Sequence, residues 1–163
     1  MFKFCPYCGY KIKEQTINGF QCPSCKKRTY YASVPAVSIA VKVGTEGLVA
    51  VRGREPGKGQ HDLVGGFLEY GEDPKVAAFR EFKEETGIEI DLNELKFIGM
   101  WVDSYNYQDN NQLVLNIVYL IELSEKFSGK PADDVADLIW MPLTSEPKFA
   151  FSYLHKVWKN LRR

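Results

Sequence analysis

The chain has 163 residues with 21 basic and 21 acidic side chains, a formal net charge of zero, and is 45% hydrophobic and 13% aromatic. That length suits one ordinary domain plus a small appendage, and the composition is that of a folded globular chain, not a disordered one. No apolar run is long enough to span a bilayer, and Phe4 is followed at once by Cys5 with no charged-then-apolar leader, so a soluble cytoplasmic protein is expected.

Cys5-Pro6-Tyr7-Cys8 and Cys22-Pro23-Ser24-Cys25 form two C-x-x-C knuckles that use all four cysteines of the chain. This is zinc-ribbon spacing: each knuckle presents two thiolates, and two knuckles close a tetrahedral site. Four sulfurs leave no position for water, so the metal is expected to be structural. A disulfide pair or a thioredoxin-like redox motif is the alternative, but such a motif needs no second knuckle. A segment of about thirty residues cannot build a core that folds without a staple of this kind. The reading is therefore a zinc ribbon over residues 1–31, holding one Zn²⁺ per chain, followed by a larger domain over residues 32–163. Reduced thiols that hold zinc agree with the cytoplasm.

Charge divides unevenly between the two. Residues 1–31 carry Lys3, Lys11, Lys13, Lys26, Lys27 and Arg28 against Glu14, a balance of +5 that leaves −5 on residues 32–163. Four thiolates on Zn²⁺ would bring the ribbon to about +3. A basic ribbon could dock on the acidic domain or touch an anionic ligand. Lys26-Lys27-Arg28 is too short a run to argue for nucleic acid.

Val34 to Val43 reads as a strand with β-branched alternation, and Leu48 to Arg52 as its partner across a turn at Gly44 to Gly47. Arg52, Arg54 and Lys58 follow, three cations able to clamp phosphate. Gly65-Gly66 then close an apolar run in a short loop, where backbone can approach a phosphate or offer a carbonyl to a metal.

A helix is expected from Pro74, capped by Asp73 and stopped by Gly87. At about 100° per residue, Val76, Ala78, Phe79, Phe82 and Thr86 form an apolar face, and Glu81, Glu84 and Glu85 an acidic face separate from it. Glu81 with Glu84 and with Glu85 are neighbours at i+3 and i+4, a like-charge arrangement that costs stability unless it is neutralised. Three clustered carboxylates are an oxygen-only site suited to Mg²⁺ or Mn²⁺. Arg80 is placed to pair with Glu84 or to reach back to Glu72.

Leu95 to Tyr105 and Leu113 to Leu123 read as two longer strands joined by the turn Gln108 to Asn111, and Leu138 to Met141 as a short strand. Phe151, Leu154, Val157, Trp158 and Leu161 give helical periodicity over Phe149 to Leu161. The aromatics Phe67, Tyr70, Trp101, Tyr105 and Tyr107 are available to stack on a nucleobase, Trp101 more simply as core. His61 serves equally as a packed residue or a ligand contact, and His155 reads as structural.

The spacing Gly66-x5-Glu72-x7-Arg80-Glu81-Phe82-x-Glu84-Glu85-x-Gly87-Ile88 matches the Nudix box at every position, and on it the chain resembles the Nudix hydrolases. The resemblance implies an α/β fold, the Nudix α/β/α sandwich around a mixed sheet, here preceded by the ribbon. It implies Mg²⁺ or Mn²⁺ at Glu81, Glu84 and Glu85, with Glu72 and Arg80 in support and the Gly65 or Gly66 carbonyl as a further ligand. The general base is expected either in the box, at Glu81, or later, at Asp133, Asp134 or Glu122. Phe67 and Tyr105, with Arg52, Arg54 and Lys58, are the expected substrate contacts.

Together with the ribbon, the approach from Arg52 to Phe67, Tyr30, Tyr31, the run Ala132 to Asp137, Trp140 and Phe151 resemble the zinc-ribbon subgroup described as ADP-ribose-pyrophosphatase-like. His61 and Val64 depart from it, standing where Trp and Pro are common. NADH pyrophosphatases share the two-part layout but carry a Ser-Gln-Pro-Trp-Pro-Phe-Pro run where this chain has Val102 to Tyr107, which disfavours NAD(H). The expected activity is hydrolysis of the diphosphate bond of a nucleoside diphosphate derivative of the ADP-ribose, NADH or FAD type, by a homodimer. A nucleotide-sensing or nucleic-acid-binding module without turnover, and a triphosphate-sanitising pyrophosphatase, are the alternatives.

Overall fold

The structure is a computed structural model that describes residues 2–108 and 110–162. It divides into two compact units, Met1–Ser33 and Val34–Arg163. Among the described residues, no helix is long and apolar enough to cross a membrane.

In the first unit the two cysteine knuckles are folded alike. The Cys5 N–H donates to the Tyr10 carbonyl and the Gly9 N–H to the Cys5 carbonyl, and Cys22 makes the same two bonds with Lys27 and Lys26. Gly9 and Lys26 occupy equivalent places and both have positive φ, 72° and 62°. Strands β1 (Gly19–Gln21) and β2 (Arg28–Tyr30) pair antiparallel beside the knuckles. Cys5, Ile12, Phe20 and Cys22 make up the small core, with Tyr31 packed against it.

The second unit is built on a mixed sheet. Strand β3 (Val34–Val43) turns into β4 (Glu46–Arg52), and the two pair only at Lys42–Gly47 and Val43–Glu46 before they part. The chain after β5 (His61–Asp62) fills the split: the Ile39 N–H donates to the Val64 carbonyl and the Val37 N–H to the Gly66 carbonyl. Strand β6 (Lys96–Tyr107) runs antiparallel to β7 (Asn110–Glu122), which lies parallel to β3 from Val34–Val114 to Lys42–Glu122. Strand β8 (Val135–Pro142) pairs along β4.

Strand alternation sorts the core into two layers. Val37, Ile39, Val41, Leu48 and Ala50 face helix α1 (Pro74–Thr86), with Phe82 packed on them. Ala40, Val49 and Val118 face helix α2 (Ser152–Asn160), meeting Leu154, Val157 and Trp158. Helices on both faces of a mixed sheet make the expected α/β/α sandwich.

Helix α1 starts and stops where the letters say. Asp73 caps it by accepting the Lys75 N–H, Pro74 follows, and Gly87 ends it in the left-handed conformation with its N–H on the Lys83 carbonyl. Its buried face differs from the expected one. Ala77, Ala78, Glu81, Phe82, Glu85 and Thr86 are buried while Val76 is 47% exposed. That arc runs from about 100° to about 280° on the projection that puts Val76 at zero, so the acidic and buried faces overlap: the helix is rolled until Glu81 and Glu85 lie under the Gly65-Gly66 loop.

Several boundaries also move. The β3–β4 turn is shorter than expected, and β8 extends beyond its apolar letters because its pairing with β4 continues from Val135 to Pro142. Asn110 and Asn111, expected in a turn, pair with Tyr107 and Asn106 in the ladder. Asp109 of that turn lies outside the described residues. The short strands β1, β2 and β5 and the 3₁₀ turn Leu92–Glu94 carry no periodic signal long enough to be read.

Candidate active site

A cavity of about 370 Å³ opens where β3, the end of β4, loop 65–69, α1, β6, β7 and the first turn of α2 meet. Its acidic end is set by the roll of α1. Glu81 and Glu85 are 8% and 5% exposed, whereas Glu84 is open to solvent. Glu85 Oε2 accepts the Gly65 N–H at 2.9 Å. A Cβ on Gly66 would lie 2.4 Å from Glu81 Oε1, so any side chain there would displace this carboxylate. Gly65 has φ 149°, and a Cβ there would fall 2.2 Å from the Val37 carbonyl oxygen.

Arg80 organises the carboxylates. Its Nε and Nη2 donate to Glu72 at 2.9 Å each, its Nη1 to Glu81 at 2.8 Å and Glu84 at 3.1 Å, and Nη2 also to the Phe67 carbonyl. Both expected partners are engaged at once, and Glu81 is a third. The Arg80 hydrogen bonds hold Glu72 below the usual carboxylate range. Burial pushes Glu81 up, only partly countered by Arg80. Burial likewise pushes Glu85 to about 8, with the Gly65 N–H opposing and Glu81, Asp62 and Asp133 adding to the rise. Two buried carboxylates with Asp62 and Asp133 close by, and with Arg80 hydrogen-bonded to Glu81, are short of positive charge, and a divalent cation fits that deficit. The Gly66 carbonyl is already used by Val37, while among the described residues the Gly65 carbonyl accepts no hydrogen bond.

Asp133 and Asp134 both line the cavity. Their loop is tied to the end of α1, where the Lys130 N–H donates to the Thr86 carbonyl and the Ala132 N–H to the Glu85 carbonyl. Asp134 pairs with Arg54. Glu122 is elsewhere, on the sheet surface with Lys96 at 3.0 Å and Lys42 at 3.9 Å. Lys58 is exposed and does not line the cavity.

The same cavity has aromatic and further cationic lining. Tyr105 stacks on Phe151 at 5.8 Å and 24°, Phe67 meets Tyr105 edge-on at 5.4 Å, and the Arg52 guanidinium lies 5.0 Å from the Phe151 centroid. Arg52 also pairs with Asp62 at 2.5 Å and donates to the Pro56 carbonyl. Ser38, Asn116 and Tyr153 are buried cavity-lining groups, the Ser38 and Tyr153 hydroxyls 2.9 Å apart.

Tyr70 is fully exposed, and Trp101 stacks on Tyr153. His61 Nδ1 accepts the Lys148 N–H and His155 packs edge-on against Phe149, so both are structural. Sequence reasoning took Phe151 as helix packing and as part of the subgroup resemblance, not as a substrate contact, and passed over Asp62, Asp103, Asn116 and Tyr153 as site residues. Phe151 carried the one usable signal, an aromatic just before a helix, masked by its agreement with the apolar repeat.

In the first unit the four Sγ atoms lie within 4.8 Å of one another, with Cys5–Cys25 at 3.8 Å and Cys8–Cys22 at 3.7 Å. A tetrahedron with metal–sulfur bonds of about 2.3 Å has edges of about 3.8 Å, far longer than a disulfide of about 2.05 Å. The cluster fits a zinc ribbon.

With its box helix against the glycine loop on a mixed sheet, the chain belongs to the NUDIX domain family, whose model matches residues 32–158. Among its curated relatives is the NAD-capped RNA hydrolase NudC of Haemophilus influenzae (strain PittGG), 38% identical over 100 residues, covering 60% of this chain and 37% of that protein. The protein of that name from Vibrio atlanticus is 27% identical over 91% of this chain and 52% of its own length. The chain thus spans from about a third to about half of these relatives. A bifunctional NMN adenylyltransferase/ADP ribose pyrophosphatase from Francisella tularensis, complexed with AMP and a manganese ion, superposes with TM-score 0.64 at 25% identity, covering 81% of this chain and 42% of that one. The NUDIX domain of Shewanella oneidensis NrtR, crystallised with ADP ribose, shares the fold with TM-score 0.68 at 18% identity, covering 82% and 88%.

Proposed function

We propose that the protein hydrolyses the diphosphate bond of a nucleoside diphosphate derivative in a reaction dependent on Mg²⁺ or Mn²⁺. The observation that carries this is the burial of Glu81 and Glu85 under the Gly65-Gly66 loop, in the wall of a cavity that Arg52, Arg54, Phe67, Tyr105 and Phe151 also line. A dinucleotide has matching parts: an anionic centre that needs cations and a flat base that needs a ring.

In this reading Glu81, Glu84 and Glu85, with the Gly65 carbonyl, would hold the cation, and Arg80 with Glu72 would keep Glu81 and Glu84 oriented. The bound ion supplies charge neutralisation to the diphosphate and makes a water more acidic. Glu81, or Asp133 from the loop tied to α1, would take the proton from the attacking water as it adds to phosphorus and the bridging P–O bond breaks. Asp133 is the stronger later candidate because it lines the cavity and raises Glu81 and Glu85, which Glu122 does not. Arg52 and Arg54 would steady the phosphates, and the Tyr105–Phe151 stack with Phe67 would receive the base.

The substrate class is a nucleoside diphosphate derivative of the ADP-ribose, NADH or FAD type; the relatives named for NAD-capped RNA bear on the NAD form, free or at the 5′ end of an RNA, and the Val102 to Tyr107 stretch counts against it. The Cys5, Cys8, Cys22 and Cys25 site would hold one structural Zn²⁺. Thiols gathered at metal-holding distances suit the cytoplasm, and family resemblance favours a homodimer. A sensor without turnover has no use for the complete carboxylate set.

The test is a panel of ADP-ribose, NADH, FAD and a nucleoside triphosphate with Mg²⁺ or Mn²⁺, with product identification. Two monophosphates from the dinucleotides are expected. Pyrophosphate release from the triphosphate alone would replace this reading with the sanitising one, and no turnover of any member would sink it.

A further inference from the structure

Helix α2 begins without a cap of its own. Phe151 stands at its N-cap in extended backbone, φ −124° and ψ 142°, and makes no side-chain cap hydrogen bond. The first N–H groups of a helix have no partner within it and call for an oxygen acceptor. Here the acceptor comes from another element. Asp103 on β6 takes the Ser152 Oγ–H at 2.8 Å and the Tyr153 N–H at 3.2 Å on Oδ2, while its Oδ1 accepts the Ser104 N–H at 2.8 Å. A carboxylate at a helix N-terminus also meets the favourable end of the dipole.

Each side of this remote cap leads directly to a wall of the cavity. Tyr105 is two residues beyond Asp103 and points to the same face of β6. Phe151 immediately precedes Ser152. The bond between Asp103 and the first turn of α2 therefore closes a short bracket around the Tyr105–Phe151 stack, whose ring centroids are 5.8 Å apart. A second tie, Tyr153 to Ser38 at 2.9 Å, anchors the same turn to β3. Leu154, Val157 and Trp158 bury the rest of the helix, so loss of Asp103 frees the entry of α2 and leaves its body docked.

We infer that Asp103 is a positioning residue that caps α2 from β6 and thereby sets the aromatic shelf of Tyr105 and Phe151 for the nucleobase of the substrate. This rests on reading the cavity as a nucleotide site. Asp103 also lines the cavity, but both its carboxylate oxygens are taken by Ser104, Ser152 and Tyr153, so it acts through Phe151, and its loss weakens recognition of the base and leaves binding of the diphosphate unchanged.

The experiment is calorimetric titration of the full chain, in Mg²⁺, with AMP and with methylenediphosphonate, a diphosphate analogue that has no base. Asp103→Ala is expected to raise the Kd of AMP about tenfold, the scale of one base–aromatic stack, with that of methylenediphosphonate unchanged within about twofold. Asp103→Asn, which keeps a good capping oxygen, should restore AMP binding to within about threefold of wild type. Phe151→Ala should match Asp103→Ala, and the double variant should be no worse than Phe151→Ala, because the two act on one contact. Unchanged AMP affinity in Asp103→Ala, equal weakening of both ligands, additive losses in the double variant, or no AMP binding by wild type would each overturn the inference. Turnover does not enter these titrations. A wild-type protein that binds AMP but hydrolyses no dinucleotide defeats the hydrolysis reading and leaves this one standing.

Discussion

Glu85 Oε2 accepts the Gly65 N–H at 2.9 Å, which joins the last turn of α1 to the glycine loop across twenty residues of sequence. Glu85 is 5% exposed, and the cost of burying its charge is relieved by one N–H and increased by Glu81, Asp62 and Asp133. A fold that buries an acid among acids holds it at a cost in isolation and recovers that cost when a cation arrives.

Glu85→Gln separates those two effects. Glutamine keeps an oxygen for the Gly65 N–H and removes the charge. Metal-dependent kcat/KM should fall by about 100-fold or more, since even outer partners of metal ligands cost about 10 to 100-fold. The melting temperature of the metal-free protein should stay level or rise. Wild-type turnover in this variant, measured with saturating Mg²⁺, would remove Glu85 from the metal site.

Neighbouring glycines should fail in different ways. An alanine methyl at position 66 meets only the end of the Glu81 side chain, 2.4 Å away, so Gly66→Ala displaces the carboxylate and spares the backbone. We expect activity to drop about 100-fold, as a misplacement of about 1 Å can do, with a stability loss of about 1 kcal/mol. At position 65 the methyl meets the Val37 carbonyl oxygen at 2.2 Å with φ at 149°. Gly65→Ala should cost about 3 kcal/mol or more, from strain and overpacking together. Denaturant melts beside kinetic assays distinguish the two, and equal stability losses would contradict the assignment.

What the sequence made legible follows from how locally each feature is determined. The cap at Asp73, the stop at Gly87 and the four-cysteine set depend on residues close in the chain, and all are found in place. The roll of α1 does not. It depends on a loop that fills the gap between β3 and β4, and no periodicity in residues 74–86 records where that loop lies. The shelf is less legible still: Tyr105 and Phe151 are 46 positions apart in sequence, joined by an acid that reads as ordinary strand alternation. Glu122 and Lys58 looked equivalent to Asp133 and Arg52 as letters, but the register of β7 puts Glu122 on the sheet surface and Lys58 stands in the exposed turn between β4 and β5.

The ribbon should depend on all four thiolates. With Sγ separations of 3.7 to 3.8 Å within the cysteine pairs, removal of one ligand opens a tetrahedral site and turns metal binding against folding of a segment whose core is four buried residues. Wild-type protein should carry one zinc per chain by elemental analysis. Cys22→Ser should carry well under half of that, and a strong chelator should expose residues 1–33 to proteolysis before residues 34–163. Full zinc occupancy in Cys22→Ser would contradict a four-thiolate site.

The cap on α2 should give the protein an acid-sensitive element. Burial raises Asp103, but hydrogen bonds from the Ser152 hydroxyl and the Ser104 and Tyr153 N–H groups outweigh it, and the folded-state pKa lies below the ordinary carboxylate value. A depressed carboxylate contributes stability that is fully present above its unfolded pKa of about 3.9 and is lost as pH falls through the folded value. Arg52 and Asp62, which act with Asp103 on Tyr153, are already paired with each other. The difference in melting temperature between wild type and Asp103→Asn should therefore be constant from about pH 6 to pH 5 and shrink below about pH 4. Near-ultraviolet circular dichroism of Tyr105, Phe151 and Tyr153 should report loosening of the α2 entry over the same range. A difference that widens on acidification would mean that the charged form of Asp103 is not the one the fold prefers, and the cap would have to be assigned to the Ser152 hydroxyl and the Ser38–Tyr153 bond instead.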